Sequence, residues 1–158
     1  MLKNRYFWIV ASAGLILDQL TKYIVVKNFA AIGDTVPLLS GIFHFTYVTN
    51  YGAAFSLFSE SGGWLRWLSL LVSLWLVWLG LNARLRLTEQ LAYGCILAGA
   101  AGNGIDRFIS GYVVDFLDFR LIKFPVFNVA DVLINIGLIF ILIALIQETN
   151  YSQKGDRR

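Results

Sequence analysis

The 158-residue chain has one cysteine, Cys95, and one histidine, His44. A single cysteine excludes an internal disulfide and any multi-cysteine metal site. With one histidine and scattered carboxylates, a metal-dependent hydrolase is disfavoured. Charge is scarce too, at 15% of residues against about a quarter in soluble domains. The net charge is only +3, Lys and Arg fall mostly singly or in pairs, and no basic stripe interleaved with aromatics offers a nucleic-acid surface. Internal repeats, low-complexity tracts and a second domain are also missing, so residues 1–158 read as one domain.

What the chain has in excess is apolar surface. Hydrophobic residues make up 58% of it and its mean hydropathy is +0.66, more than a core of this size absorbs, which points to lipid as the solvent. Four segments, at about 6–26, 64–81, 91–109 and 129–146, approach the roughly 20 apolar residues that a spanning helix needs. The first follows M-L-K-N-R and could pass for a secretory signal. Its length, the Asp18 and Lys22 within it and the lack of a clear A-x-A site make it an uncleaved first membrane helix instead. The second, with Trp64, Trp67, Trp75 and Trp78, reads as lipid-facing wall and membrane anchor. The third is thin: Gly94, Ala98 and Gly102 recur every four residues, so another backbone can approach closely, and it is the expected central helix.

Four crossings put both termini on one side of the membrane. Seven basic residues gather there (Lys3, Arg5, Arg84, Arg86, Lys154, Arg157, Arg158) and six on the other side (Lys22, Lys27, Arg66, Arg107, Arg120, Lys123). Setting aside Arg107 as part of a polar site and Lys22 as a partner of Asp18 tilts the balance, and the termini and the 82–90 connection are assigned to the cytoplasm. The other side holds two long connections, 28–63 and 110–128. In the first, I-F-H-F-T-Y-V-T-N predicts a strand or hairpin, Asn50-Tyr51-Gly52 a turn, and the stretch near 52–63 a mobile flap. Gly111 and Pro125 mark bends in the second. The polar tail from about 149 is expected to be mobile.

Between Gly99 and Asp131 the apolar pattern breaks, with Asn103, Asp106, Arg107, Asp115, Asn128 and Asp131 close together. Ionisable groups this near a bilayer are costly and read as a functional site. Asp115 follows the third segment and Asp131 opens the fourth, so both lie at one face and similar depth. Two carboxylates about 3 Å apart cannot both ionise and share a proton. The ionised one can take a proton from an attacking water, while the other polarises a carbonyl and helps the amine leave. That chemistry hydrolyses a peptide bond without a metal or a covalent intermediate. On spacing alone a plainer reading stays open: Asp115 caps a turn and Asp131 favours the dipole at a helix N-terminus.

The remaining polar residues also divide between roles. Asn103, Asp106 and Arg107 share one helical face, where Arg107 either steadies substrate carbonyls or snorkels to the interface with Asp106. Asp18 and Lys22 suit an intrahelical pair, although the depth of Asp18 favours contact with the polar cluster of the third segment. Asn50 and Asn128 suit a turn and a helix cap. His44 reads as a strand residue, and Cys95 as packing. Ser12, Ser69 and Ser73 have no base nearby in sequence to support a serine nucleophile.

Five stretches together carry a resemblance: D-Q-L-T-K at 18–22, N-Y-G-A-A-F at 50–55, G-N-G-I-D-R at 102–107, V-V-D-F at 113–116 and F-N-V-A-D at 127–131. In content and order they resemble the lipoprotein signal peptidases, the bacterial signal peptidase II family, over most of the chain. The resemblance implies an all-α membrane protein of four transmembrane helices with a small extracytoplasmic β-cradle and a short flap helix. It implies an aspartic endopeptidase of the bacterial inner membrane, without metal or other cofactor, in which Asp115 and Asp131 are catalytic. Asp18, Asn50, Asn103, Arg107 and Asn128 would line or support the site, and Asp106 and Gly52 would be structural motif positions. The implied substrates are prolipoproteins carrying diacylglyceryl-cysteine, cut just before that cysteine at the extracytoplasmic face. Membrane lipid would surround the protein, the family inhibitor globomycin would bind it, and it would act as a monomer.

Two other classes fit parts of the chain. A small membrane transporter or proton-relay protein would also keep Asp, Asn and Arg among apolar helices, but needs a polar path through the bilayer, whereas these charges gather at one face. A non-catalytic assembly partner would explain the small residues of the third segment but not five polar clusters.

Overall fold

The computed structural model of the chain describes residues 3–52, 62–122 and 124–155. In order these form α1 (Arg5–Asn28), β1 (Thr35–Leu39), β2 (Phe43–Asn50), a single 3₁₀ turn at Gly62–Trp64, α2 (Leu65–Asn82), α3 (Leu87–Ile109), β3 (Val113–Phe119) and α4 (Val129–Gly155). The flap expected near 52–63 falls largely on 53–61, outside the described residues.

Among the described residues, three helices are long and apolar enough to cross a membrane: α1, α2 and the Val129–Ile146 part of α4. Their outward faces expose Ile16, Leu20, Leu71, Leu74, Ile139 and Leu142, where a helix facing water would carry polar side chains. α3 is 23 residues long and spends its side chains inward, burying Ala92, Gly94, Cys95, Leu97, Ala98, Gly99, Ala100 and Gly102. It packs against α1, α2 and α4, the central place its small residues predict. A Cβ on Gly94 would stand 2.8 Å from the Phe7 carbonyl oxygen of α1. One on Gly99 would strike the Ala130 carbonyl oxygen of α4, and one on Gly102 the Asp18 carboxylate. Missing methyls therefore set how closely the three helices meet.

α3 starts at Leu87, ahead of the position near 91 that hydropathy marks. Its polar first turn is closed by Glu89, which accepts both the Arg86 backbone N–H and the Arg86 guanidinium at 2.7 Å. α4 runs on in the backbone through Gly155, beyond its apolar run.

The three strands form one antiparallel sheet in the order β1-β2-β3. β2 is the strand that the β-branched and aromatic run predicts, and His44 lies within it. β3 opens on V-V-D-F, and its register sets Asp115 opposite Val48 and Val113 opposite Asn50. Val25 of α1, Tyr47 of β2, and Val114 and Phe116 of β3 make a small core under the sheet, with Val129 at the start of α4 packed against it. The Phe116 and Leu117 N–H groups both donate to the Phe127 carbonyl, at 3.0 and 2.8 Å, and the Phe127 N–H returns to Leu117 at 3.1 Å. Those bonds hold β3 beside the chain entering α4, and so bring the residues around 115 and 128–131 together.

Candidate active site

Asp115 sits on β3 and Asp131 in the first turn of α4, and both line one cavity of about 430 Å³. Asn50, Asn103 and Arg107 line it as well, with Phe124, Pro125, Ile136 and Ile139 as apolar wall. The cavity is thus polar where the carboxylates lie and greasy along α4.

Asn128, itself fully buried, joins the two acids. Its Nδ2 donates to Asp115 Oδ1 at 2.6 Å, and its backbone N–H donates to Asp131 Oδ2 at 3.2 Å. Its Oδ1 accepts the Asp131 backbone N–H at 3.0 Å. The last two bonds form a reciprocal cap at the start of α4, with Asp in the place that Glu or Gln takes in a capping box. The cap and the dipole-favoured position of Asp131, the plainer readings of these residues, are therefore both present, and they are also what mounts Asp131 beside Asp115.

The other oxygens are held by further amides. Asn50 Nδ2 donates to Asp115 Oδ2 at 3.0 Å, and Asn103 Nδ2 donates to Asp131 Oδ1 at 2.9 Å. The Asn50 side chain also accepts the Gly52 N–H at 3.0 Å, closing the expected turn. The carbonyl of Gly52 then accepts from Arg107 Nη2 at 3.1 Å. Arg107 thus reaches across to the Asn50 turn and lines the cavity, while its buried Nε has no partner among the described residues. Burial pushes the Asp115 carboxyl up to about 6; the charge of Asp131 adds to this, and the Asn50 and Asn128 amides and the charge of Lys22 oppose it.

Asp18 and Asp106 lie behind this layer. Lys22 Nζ is 2.9 Å from Asp18 Oδ2, 2.9 Å from Asp106 Oδ2 and 2.9 Å from Asn103 Oδ1. Gln19 Nε2 donates to Asp106 Oδ1 at 3.0 Å, and Asp18 Oδ1 accepts the Ala130 N–H of α4 at 2.9 Å. The Asp18–Lys22 pair is present as expected. Asp18 is linked to the polar cluster of α3 through Lys22, which also meets Asp106 and Asn103, while its own bond across helices is to the α4 backbone.

The site residues named from the sequence thus gather in one region, in two layers. Asn50, Asn103, Arg107, Asp115 and Asp131 face the cavity; Asn128, Asp18, Asp106 and Gly52 support it. Sequence reading missed Gln19 and saw Lys22 only as a partner of Asp18. His44 stands apart, accepting the Gly41 N–H at 3.2 Å, and Cys95 is buried in helix packing.

This fold is that of a membrane enzyme. Two solved chains described as bacterial membrane enzyme structures superpose on it with TM-scores of 0.82 and 0.77, at 35% and 36% sequence identity. The first match covers 89% of this chain and 87% of the other. The Signal peptidase (SPase) II family matches residues 10–147. The lipoprotein signal peptidase of Gloeothece citriformis is 64% identical over 156 residues, 98% of each chain. That of Microcystis aeruginosa is 68% identical over 143 residues, 90% of this chain and 92% of the other. The chain belongs to the signal peptidase II family.

Proposed function

We propose that this protein is a membrane aspartic endopeptidase that removes the signal peptide from lipoproteins, with Asp115 and Asp131 sharing one proton as its catalytic pair. The reading rests above all on Asn128, a buried residue whose side-chain amide donates to the Asp115 carboxylate and whose backbone N–H donates to that of Asp131, both acids lining a single cavity.

The ionised member of the pair takes a proton from water as its oxygen adds to the scissile carbonyl, and the protonated member donates a hydrogen bond to the carbonyl oxygen. The tetrahedral intermediate collapses as a proton passes to the amide nitrogen, the C–N bond breaks, and a carboxylic acid and an amine separate. In a prolipoprotein the departing amine is that of the diacylglyceryl-cysteine. The apolar wall of Phe124, Ile136 and Ile139 suits a lipid-bearing substrate. Arg107, which lines the cavity and reaches the Gly52 carbonyl through Nη2, is placed to steady a substrate carbonyl.

α3 serves as a fourth crossing in this reading. Its 23 residues rise about 35 Å, and its polar groups turn toward α1 and α4 rather than lipid. Four crossings set both termini in the cytoplasm and the sheet and cavity at the extracytoplasmic face of the inner membrane, with one domain over 1–158 acting as a monomer. A cavity of this kind is also where globomycin would bind.

The test is cleavage of a diacylglyceryl-modified prolipoprotein by purified protein in detergent. Cleavage should persist with chelator and disappear in Asp115→Asn. Loss of wild-type activity on chelation would overturn the metal-free mechanism.

A further inference from the structure

We infer that Lys22 is a positioning residue of this site, whose ammonium fixes the direction in which the Asn103 carboxamide faces and so the hydrogen bond that Asp131 receives. The inference rests on the proposed Asp115–Asp131 pair.

A carboxamide presents an acceptor at one end and two donors at the other, and only its surroundings decide which way round it sits. Asn103 Oδ1 faces two donors, Lys22 Nζ at 2.9 Å and Asn128 Nδ2 at 3.2 Å. Its Nδ2 is left facing Asp131 Oδ1 at 2.9 Å. Turned over, the amide would set its NH2 against an ammonium and another NH2, and its oxygen against a carboxylate. Lys22 enforces the choice because it cannot swing away. It is 3% exposed, and its three N–H bonds match three acceptors, Asp18 and Asp106 on either side and Asn103 in front. Gln19 holds the far oxygen of Asp106. The chain of contacts runs from α1 through α3 to the first turn of α4, and the peptide chemistry itself makes no use of the lysine.

A buried ion pair that merely joins helices would look similar, so the test needs readouts that such a role does not move. Full-length Lys22→Met and Lys22→Gln are assayed on a diacylglyceryl-modified prolipoprotein across pH 4–9. The charged groups around the pair are Lys22 from α1, Asp106 and Arg107 from α3, and the two acids themselves on β3 and α4. Lys22→Met should lower kcat about 100-fold with KM changed less than about threefold. Removing the cation makes ionisation of the pair harder, so both limbs of the pH–rate curve should move to higher pH by about half a unit. Lys22→Gln keeps an N–H donor and should recover part of kcat with the same displacement. In an Asn103→Ala background, Lys22→Met should change kcat less than about twofold.

A curve that only loses height, or a full kcat loss in the Asn103→Ala background, overturns the inference. If Lys22→Met does not fold, Lys22→Met with Asp106→Asn, which removes a facing carboxylate with the cation, is read on kcat, KM and the Asn103→Ala background alone. An undiminished kcat there overturns the inference. The controls Asp115→Asn and Asp131→Asn separate the two claims. Wild-type cleavage by these controls sinks the catalytic pair, whereas inactive controls beside an unmoved pH curve sink only the role of Lys22.

Discussion

The fold holds two pairs of carboxylates side by side and treats them differently. Asp18 and Asp106 share the ammonium of Lys22 between them, with Gln19 and a helix N–H taking their other oxygens. Among the described residues, Asp115 and Asp131 receive hydrogen bonds from neutral donors, on Asn50, Asn103 and Asn128. A cation within hydrogen-bond distance fixes a buried carboxylate in place. Amides orient a carboxylate without neutralising it, so in the proposed pair two such acids settle their repulsion by sharing a proton. Partner type distinguishes the acids that build this region from those proposed to carry the chemistry.

The sharpest way to break that contrast is to neutralise each pair in turn. Asp115→Asn or Asp131→Asn should lower cleavage by about 10³-fold or more while the protein still inserts in the membrane. Asp106→Asn should cost far less in turnover per folded molecule. Comparable losses from all three, measured as initial rates on equal amounts of folded protein, would erase the distinction.

Stability should show the opposite ranking. Asp18→Asn leaves Lys22 short of one partner in a buried place and weakens the acceptor for the Ala130 N–H. It should destabilise the protein by about 3 kcal/mol, read as a lower midpoint of thermal unfolding in detergent. An unchanged midpoint would mean that the ion pair does little to hold α1 to α4.

A smaller effect lies in pH. An acid raised in the folded state contributes stability in full below its unfolded value of 3.8 and loses it as pH rises through the folded value of about 6. Wild-type stability should therefore fall between about pH 4 and 6, by about 2 kcal/mol, and Asp115→Asn should flatten that slope. The same slope in the variant would locate its source elsewhere.

Much of this arrangement was legible in the chain. The apolar runs marked the long helices, the glycines of α3 marked its central place, and the motifs marked Asp115 and Asp131. β3 was hidden because V-V-D-F-L-D-F is buried along most of its length, so it lacks the alternation that announces a half-buried strand. The start of α3 was hidden because a capped polar turn carries no hydropathy signal. Gln19 escaped notice for another reason. Spacing rules describe neighbours on one helix, and Gln19 meets Asp106 across two, 87 residues apart in sequence. Lys22 was half seen, since its local partner is one turn away and its other two are on α3.

The cap at the start of α4 ties a surface event to a membrane helix. Asp131 is fastened to the first turn of α4 by the bonds that close that turn, while Asp115 is fastened to the sheet, and Asn128 touches both. A helix that spans lipid adjusts its tilt to the thickness around it. Any such tilt moves one acid relative to the other, so the gap within the proposed pair is partly set by the bilayer in which the protein stands.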